Sequence, residues 1–523
     1  MSQKEQIEST PCQDPARGRI LGHSPLNTVE DVQEAIQAAR AAQPAWAALK
    51  PRERARRLRP VRDYLVECAD ELAQVISQDN GKTRVDAMVA EILPAAMALS
   101  YYLRRAPSFL RPRRLAPGNL LMANKVSRIE RVPFGVIGVI SPWNYPWSIP
   151  FSEVVMGLLA GNAVVLKTAS QTQMVGRRLE ECFLSAGLPR GVFTYLNLPG
   201  RLAGRAFLEN GVDKLFFTGS VAVGKELMAL AARSLTPVSL ELGGNDAMLV
   251  CPDADLERAA AGAVWGGLSN CGQSCGGVER IYVHTQVYQR FLDLLKNKVE
   301  ALRIGPDDDF QVDLGAMTTT RQMETVRRHL DDALARGARI YAQAPAPEGE
   351  GNFLPAVVLT GVNHDMLVMR EETFGPVLAV MEVPDMETAL ELANDSHLGL
   401  TGSIWTRSHR RGRALARRIR AGVVTINDHL MSHGLAETPW GGFKHSGIGR
   451  THGRLGFDEM TEPQCIVDDL MPGVRKNMWW HPYGPEVYAG IKGILDMLYA
   501  RSPARRLAGA KDLLKLFPRT FRG

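Results

Sequence analysis

Cysteine is scarce in this chain: 523 residues hold seven, at 12, 68, 182, 251, 271, 275 and 465. So few and so scattered, they exclude a disulfide framework and predict reduced thiols in a reducing compartment. A long clean apolar run is also missing. Val132 to Leu166 carries one charge, Glu153, but Pro133, Pro142, Asn144, Pro146 and Pro150 interrupt it. Its longest clear piece, Val154 to Leu166, has 13 residues, where a bilayer needs about 20. A buried strand, turn and helix are expected there instead. The N-terminus MSQKEQIESTPCQDPARGR has no apolar core, so no signal peptide is expected and the chain reads as cytoplasmic.

An excess of one charge is missing from most of the chain. The net +6 belongs to the tail: Gly473 to Gly523 carry ten Lys or Arg against three acids, while residues 1–472 carry 52 bases and 53 acids. A neutral body excludes an extended nucleic-acid surface, and no nucleic-acid partner is expected. What is present, 45% hydrophobic and 23% charged residues, is ordinary globular composition. It excludes disorder, collagen and coiled coil, and the length calls for roughly two to four domains.

Asn27 to Gln78 shows apolar residues at helical spacing, predicting two or three surface helices. Arg104 to Arg131 carries eight bases, one acid and three prolines, the mark of an exposed arm. Strand-length apolar runs then alternate with helical patterns: Phe134 to Ile140, Ala163 to Lys167, Val192 to Asn197, Lys214 to Thr218 and Val238 to Leu242 are separated by helices such as Ser170 to Ala186 and Val221 to Ala232. This alternation predicts a parallel sheet with helices on both faces, binding its ligand at the carboxyl ends of the strands. A second alternation, beginning with a helix at Leu256 to Leu268, a strand at Ile281 to His284 and a helix at Val287 to Leu302, predicts another α/β domain.

Gly219-Ser-Val-Ala-Val-Gly224-Lys225-Glu226 nearly matches the phosphate loop, but Glu226 stands where a hydroxyl is needed and would face phosphates as a like charge. A nucleotide hydrolase is therefore disfavoured, and a glycine turn entering a helix, suited to a pyrophosphate, remains. Cys275, in NCGQSCGG, is flanked by Gly272, Gly276 and Gly277; an exposed sulfur there suits a nucleophile, and an inert buried thiol is the alternative. No Cys or His pair stands at zinc spacing to complete Cys271 and Cys275, so no metal is expected. Glu241 ends an apolar strand, where partial burial would raise its pKa toward that of a general base, unless a basic partner holds it. Asn144, in SPWNYP, either stabilises its turn or donates to an oxyanion.

Seven motifs in order, PWNYP (142–146), VVLK (164–167), FTGSVAVG (217–224), LELGG (240–244), NCGQSC (270–275), ETFGP (372–376) and PWGGFKHSGIGR (439–450), make the chain resemble the aldehyde dehydrogenase superfamily over residues 20–465. The resemblance implies an α/β fold with a Rossmann-like parallel-sheet cofactor domain (1–103 and 132–241) and a second α/β catalytic domain (242–436). Oligomerisation segments (104–131 and 455–470) are implied as well, and a C-terminal extension follows (471–523). It implies oxidation of an aldehyde to an acid, with Cys275 as nucleophile, Asn144 and the Cys275 N–H as oxyanion donors, and Glu241 as base. It further implies NAD or NADP held by Ile140, Ser141, Trp143, Lys167, Ser170, Gly200, Gly219, Ser220, Gly224, Leu242, Glu372 and Phe374, and a homodimer or homotetramer. The retained Glu241 favours water over coenzyme A as acyl acceptor. Intact Cys275, Glu241 and Asn144 argue against a catalytically silent protein on the same fold.

The chain departs from the family at Thr168-Ala169-Ser170, where Pro-x-Glu is usual; loss of the carboxylate predicts tolerance of NADP's 2′-phosphate. Small residues at Ser274, Gly276 and Gly277 would leave room for bulky apolar aldehydes, and the sequence resembles bacterial branches that act on them. The tail's apolar stripe from Val487 to Leu498, broken at Ser502-Pro503 and resumed at Leu507, lies beside Trp479, Trp480 and Tyr483. This predicts basic amphipathic helices that dock either on an anionic membrane or on protein.

Overall fold

The computed structural model describes residues 8–471 and 474–521. Residues 1–7, 472, 473, 522 and 523 lie outside it, and with them part of the N-terminal segment and Arg522 of the basic tail. The chain divides into two units, Met1–Arg111 with Arg131–Glu462, and Pro112–Glu130 with Pro463–Gly523.

In the first unit the apolar stretch at 132–166 forms a strand, Val136–Ile140, a helix, Ser148–Ala160, and a strand, Ala163–Lys167, every residue of which is buried. Gly161, at φ 103°, ends the helix in the left-handed conformation that glycine adopts without strain. Among the described residues no helix is long and apolar enough to cross a membrane.

Two sheets organise this unit. The first runs in the order Gly447–Ile448, Val238–Glu241, Lys214–Thr218, Val136–Ile140, Ala163–Lys167, Phe193–Leu196, all parallel except its antiparallel first pair. The second runs Arg339–Ala344, Ala356–Thr360, Val377–Val383, Val278–His284, Asp246–Val250, Thr401–Trp405, Val423–Ile426, with only Arg339–Ala344 antiparallel. Their strands read as continuous apolar runs because helices cover both faces. Rings such as Trp147, Phe151 and Phe183 are fully buried in the first core, each burial stabilising by about 1.5–3 kcal/mol.

The sequence predicted two or three helices between residues 27 and 78; four are present, Val29–Ala47, Pro51–Arg57, Arg59–Glu67 and Ala69–Asn80. Leu58 and Cys68 are joints whose dihedrals break the helix without interrupting the apolar period. Arg104 and Arg105 lie not on an arm but on the helix Leu93–Phe109, because Tyr102, Ala106 and Phe109 carry its buried stripe onward. That helix follows Arg84–Ala87 through a π-turn, Met88–Ile92, in which the Leu93 N–H donates to the Met88 carbonyl. Such turns concentrate at functional sites.

The second unit holds most of a three-stranded sheet, Thr461–Asp469, Lys125–Pro133, Arg113–Leu115, and two tail helices, Pro485–Tyr499 and Pro503–Leu516. These pack on each other through glycine: a Cβ on Gly493 would stand 2.6 Å from the Gly509 carbonyl oxygen.

Candidate active site

The register of the first sheet aligns Ile140 with Lys167 and with Phe217, and Thr218 with Glu241. The chain therefore leaves these strands at Ser141, Thr168, Gly219 and Leu242 along one carboxyl edge. Ser220 caps the helix Val221–Ala231, its hydroxyl accepting from the Val223 N–H at 3.4 Å. Gly219 and Gly224 are small because of close packing: a Cβ would fall 2.5 Å from the Phe217 ring and 2.7 Å from Leu242. Lys167 meets Gly200, its Nζ 3.8 Å from where a Cβ would stand, and burial pulls its pKa down to about 8. Ser170 is half-buried in the loop beyond. Ile140, Ser141, Lys167, Ser170, Gly200 and Gly224 are not among the lining residues of the cavity that gathers the others.

That cavity, about 230 Å³, is lined by Trp143, Asn144, Gly219, Ser220, Glu241, Leu242, Cys275, Glu372 and Phe374, among others. Cys275 precedes the strand Val278–His284 on a loop whose Asn270, Cys271 and Gly272 all take positive φ, at 53°, 54° and 70°. Left-handed residues other than glycine cost about 1–3 kcal/mol each and persist only where neighbours fix them. Here Asn270 Nδ2 donates to the carbonyls of Asn144 (2.9 Å) and Gln273 (3.2 Å), and the Cys271 thiol donates to the Gly315 carbonyl (3.0 Å). Cys271 is thus a packed, buried thiol. Asn144 is buried, its amide donating to the Gln273 carbonyl at 3.1 Å.

Glu241 is the last residue of its strand. Its Oε1 lies 2.9 Å from where a Gly441 Cβ would be, so a side chain at 441 would displace the carboxylate. Burial and the nearby Glu153 raise its pKa well above the ordinary range, against an opposing pull from Arg450. Glu153 is itself buried and raised to about 8. Cys275 is raised as well, by burial and then by Glu372, Glu241 and Asp246. These surroundings favour the thiol over the thiolate.

Several buried groups that the sequence reading did not single out hold this geometry. Lys82 Nζ donates to Glu91 (2.6 Å) and to the Asn144 carbonyl (2.8 Å), while Glu91 accepts from the backbone of Trp147 and Ser148. The pair ties the π-turn to the Asn144 loop. Phe374, at φ 51°, is held by Glu279, which accepts from its N–H at 2.8 Å, from Thr373 and from Asn245 Nδ2. Its ring meets Trp143 edge-on, centroids 5.5 Å apart. Asn245, by donating to Glu279, thus helps position a cavity wall. An acid inside the apolar strand VERIYVH was the available signal, the same one that marked Glu241. Lys444, by contrast, donates to the carbonyls of Asn394 and Ser396 at a helix end.

A second cavity, narrow at about 80 Å³, also reaches Cys275, between Val89, Ile149, Trp265, Met431 and Trp440. Of the small residues around Cys275, Ser274 and Gly276 line it and Gly277 does not. A Cβ on Gly276 would stand 2.8 Å from Trp440, and one on Gly277 would stand 3.2 Å from the Ser274 carbonyl oxygen, so both make space for protein atoms.

A thiol at the junction of two cavities, facing a buried carboxylate at a sheet's carboxyl edge, can attack a carbonyl held in one cavity beside a dinucleotide in the other. The family model described as "Aldehyde dehydrogenase family" matches residues 2–466. The chain belongs to the aldehyde dehydrogenase family. It is 40% identical over 487 residues to the 4,4'-diapolycopene aldehyde oxidase of Methylomonas sp, covering 93% of this chain and 90% of that one. Among solved structures it is similar to succinate-semialdehyde dehydrogenase from Burkholderia pseudomallei (33% identity, TM-score 0.85, 89% and 95% covered). It is also similar to the NAD+ complex of an aldehyde dehydrogenase from Bacillus cereus (31%, TM-score 0.84, 88% and 94%). This aldehyde dehydrogenase has the α/β fold of its family and uses NAD or NADP.

Proposed function

We propose that the enzyme oxidises apolar, long-chain aldehydes to carboxylic acids with NAD or NADP. The observation that carries this reading is the narrow cavity on Cys275: among its lining residues there is no Lys or Arg, and its one charged group is an acid, Asp86, buried and raised in pKa by that burial. A substrate bearing its own carboxylate, such as succinate semialdehyde, would be desolvated there without a counter-charge. An alkyl or polyene chain loses nothing and gains about 0.8 kcal/mol per buried CH₂. In a series of unbranched aldehydes kcat/KM is expected to rise about fourfold per methylene from four to ten carbons. Succinate semialdehyde should be at least about a hundredfold poorer than pentanal. NAD(P)H absorbance measures both, and succinate semialdehyde as the preferred substrate would sink the proposal.

In this reading the Cys275 thiolate forms only with substrate in place, its proton going to Glu241. Asn144 Nδ2 and the Cys275 N–H donate to the oxygen of the tetrahedral adduct. When bound, the oxidised nicotinamide supplies the hydride acceptor and one positive charge. Once Glu241 has passed that proton to solvent, it takes another from the water that attacks the thioester and returns it to the departing sulfur, releasing the acid and restoring the thiol.

The residues around the larger cavity fit that cofactor. The Thr218 and Ser141 hydroxyls are buried without partners among the described residues, Gly219 permits close approach, and the N-terminus of the helix Val221–Ala231 favours a pyrophosphate. Ser170 in place of an acid suits a 2′-phosphate. Ser170→Glu is expected to lower kcat/KM with NADP about tenfold while sparing NAD, which initial rates with each cofactor check.

The strand Thr461–Asp469 is an edge strand, its residues after Thr461 exposed, Ile466 and Val467 included. Such an edge supports pairing with a second copy as a homodimer or homotetramer. On the tail helices Tyr488, Leu495, Tyr499, Leu507 and Leu514 are exposed among basic residues, which supports peripheral contact with an anionic membrane from an otherwise cytoplasmic enzyme.

A further inference from the structure

The helix Leu93–Phe109 and its continuation carry one stripe at helical spacing, the exposed Leu93, Met97, Arg104 and Arg111 with the half-buried Ser100 between them, which changes from apolar to basic along its length. At the apolar end Pro94 and Gly434 line the narrow cavity that leads to Cys275. Leu93 is 50% exposed, Met97 53%, and Val66 and Leu435 beside them 67% and 39%. A shallow groove through Met97, Val66, Leu435 and Gly434 joins that mouth to Arg62 and Arg104. From there a second groove, about 750 Å³, runs between Arg52, Arg56, Arg59, Arg62, Arg104 and Arg111.

Six guanidiniums in one groove repel each other, and few have partners. Glu53 reaches Arg56 at 3.6 Å and Asp63 reaches Arg62 at 3.5 Å. Arg52, Arg59, Arg104 and Arg111 have no ion pair among the described residues, and Glu437 is the acid on the connecting groove. Arginine forks suit phosphate diesters, and exposed apolar side chains next to them suit the boundary between headgroups and acyl chains.

We propose that this face docks on an anionic phospholipid bilayer, the arginine groove on the headgroups and the Leu93–Met97 end at the acyl boundary. An aldehyde dissolved in the membrane then enters the cavity to Cys275 without crossing water. The proposal rests on the apolar-substrate reading, whose failure shows separately, as loss of long-chain preference with detergent-dispersed aldehyde. The basic tail is present in every form compared below, so differences among them report on this face.

The test takes the full chain, its Arg52/Arg59/Arg104/Arg111→Ser variant and Met97→Asp. Each is assayed for sedimentation with phosphatidylglycerol or phosphatidylcholine vesicles, and for turnover of decanal in those vesicles and of propanal in water. The arginine variant is expected to bind phosphatidylglycerol vesicles at least about tenfold more weakly, with a shallower salt dependence. It should lose vesicle turnover by a similar factor and keep its propanal turnover. Met97→Asp should lose vesicle turnover with the parent's salt dependence intact. Parental binding and vesicle turnover in both variants would overturn the proposal. So would retention of soluble glycerol phosphate in the groove without vesicle binding, or capture of an acidic protein by a form that ignores vesicles.

Discussion

Cys275→Ser is expected to lower kcat with any aldehyde by a factor of about 10³ or more, while circular dichroism and NAD(P) binding stay those of the parent. The thiol here is not depressed in pKa; burial and the carboxylates of Glu372, Glu241 and Asp246 hold it protonated. Ionisation must therefore be coupled to attack, with Glu241 as acceptor. A serine hydroxyl is a far weaker acid, and the same carboxylates oppose its alkoxide at least as strongly. The backbone N–H at 275 and Asn144 survive the change, so binding persists and the loss falls on kcat. Parental turnover by the serine variant would end the covalent mechanism. Stopped-flow NAD(P)H absorbance adds a second criterion: the serine variant should show no burst.

The regular elements were legible where one local signal suffices. Ala163–Lys167, Lys214–Thr218 and Leu256–Leu268 lie where the sequence puts them, because each is bounded by glycine or polar punctuation. Glu241 and Cys275 could be singled out for similar reasons, an acid closing an apolar strand and a cysteine among glycines. The braces were not legible, because a hydrogen bond between residues far apart in sequence leaves no periodic trace. Glu91 reads as one charge on a helix until Lys82 and the Trp147 backbone meet it. The strand Gly447–Ile448 is two residues long, too short for any pattern, yet it pairs with Leu240 and Glu241 and fixes the base. Gly277 was misread for a related reason: a glycine beside a nucleophile implies space, and only the fold shows that Gly276 lines the cavity while Gly277 lies against the Ser274 and Gly266 carbonyls.

Glu241→Gln separates the two halves of the reaction. Steady-state turnover should fall by about 10²–10⁴, the usual cost of losing a general base. With Cys275 and the oxyanion donors intact, a first turnover near high pH should still release NAD(P)H at up to one equivalent per site, leaving an acyl group on Cys275 that mass spectrometry detects. A variant with neither burst nor adduct would show that Glu241 is already required before hydride transfer. The pH dependence carries the sign of the raised pKa. A buried carboxyl lifted by desolvation and by Glu153 is protonated, and useless as a base, at pH values where an exposed glutamate is already ionised. Parental kcat should therefore decline as pH falls through a value well above the ordinary carboxylate range. Glu153→Gln removes the like-charged neighbour and should move that acidic limb to lower pH, with desolvation preserving part of the shift. A limb unmoved by Glu153→Gln but abolished by Glu241→Gln would assign the whole elevation to burial. A limb unmoved by both would belong to another group, and the base would have to be sought among the remaining carboxylates around Cys275.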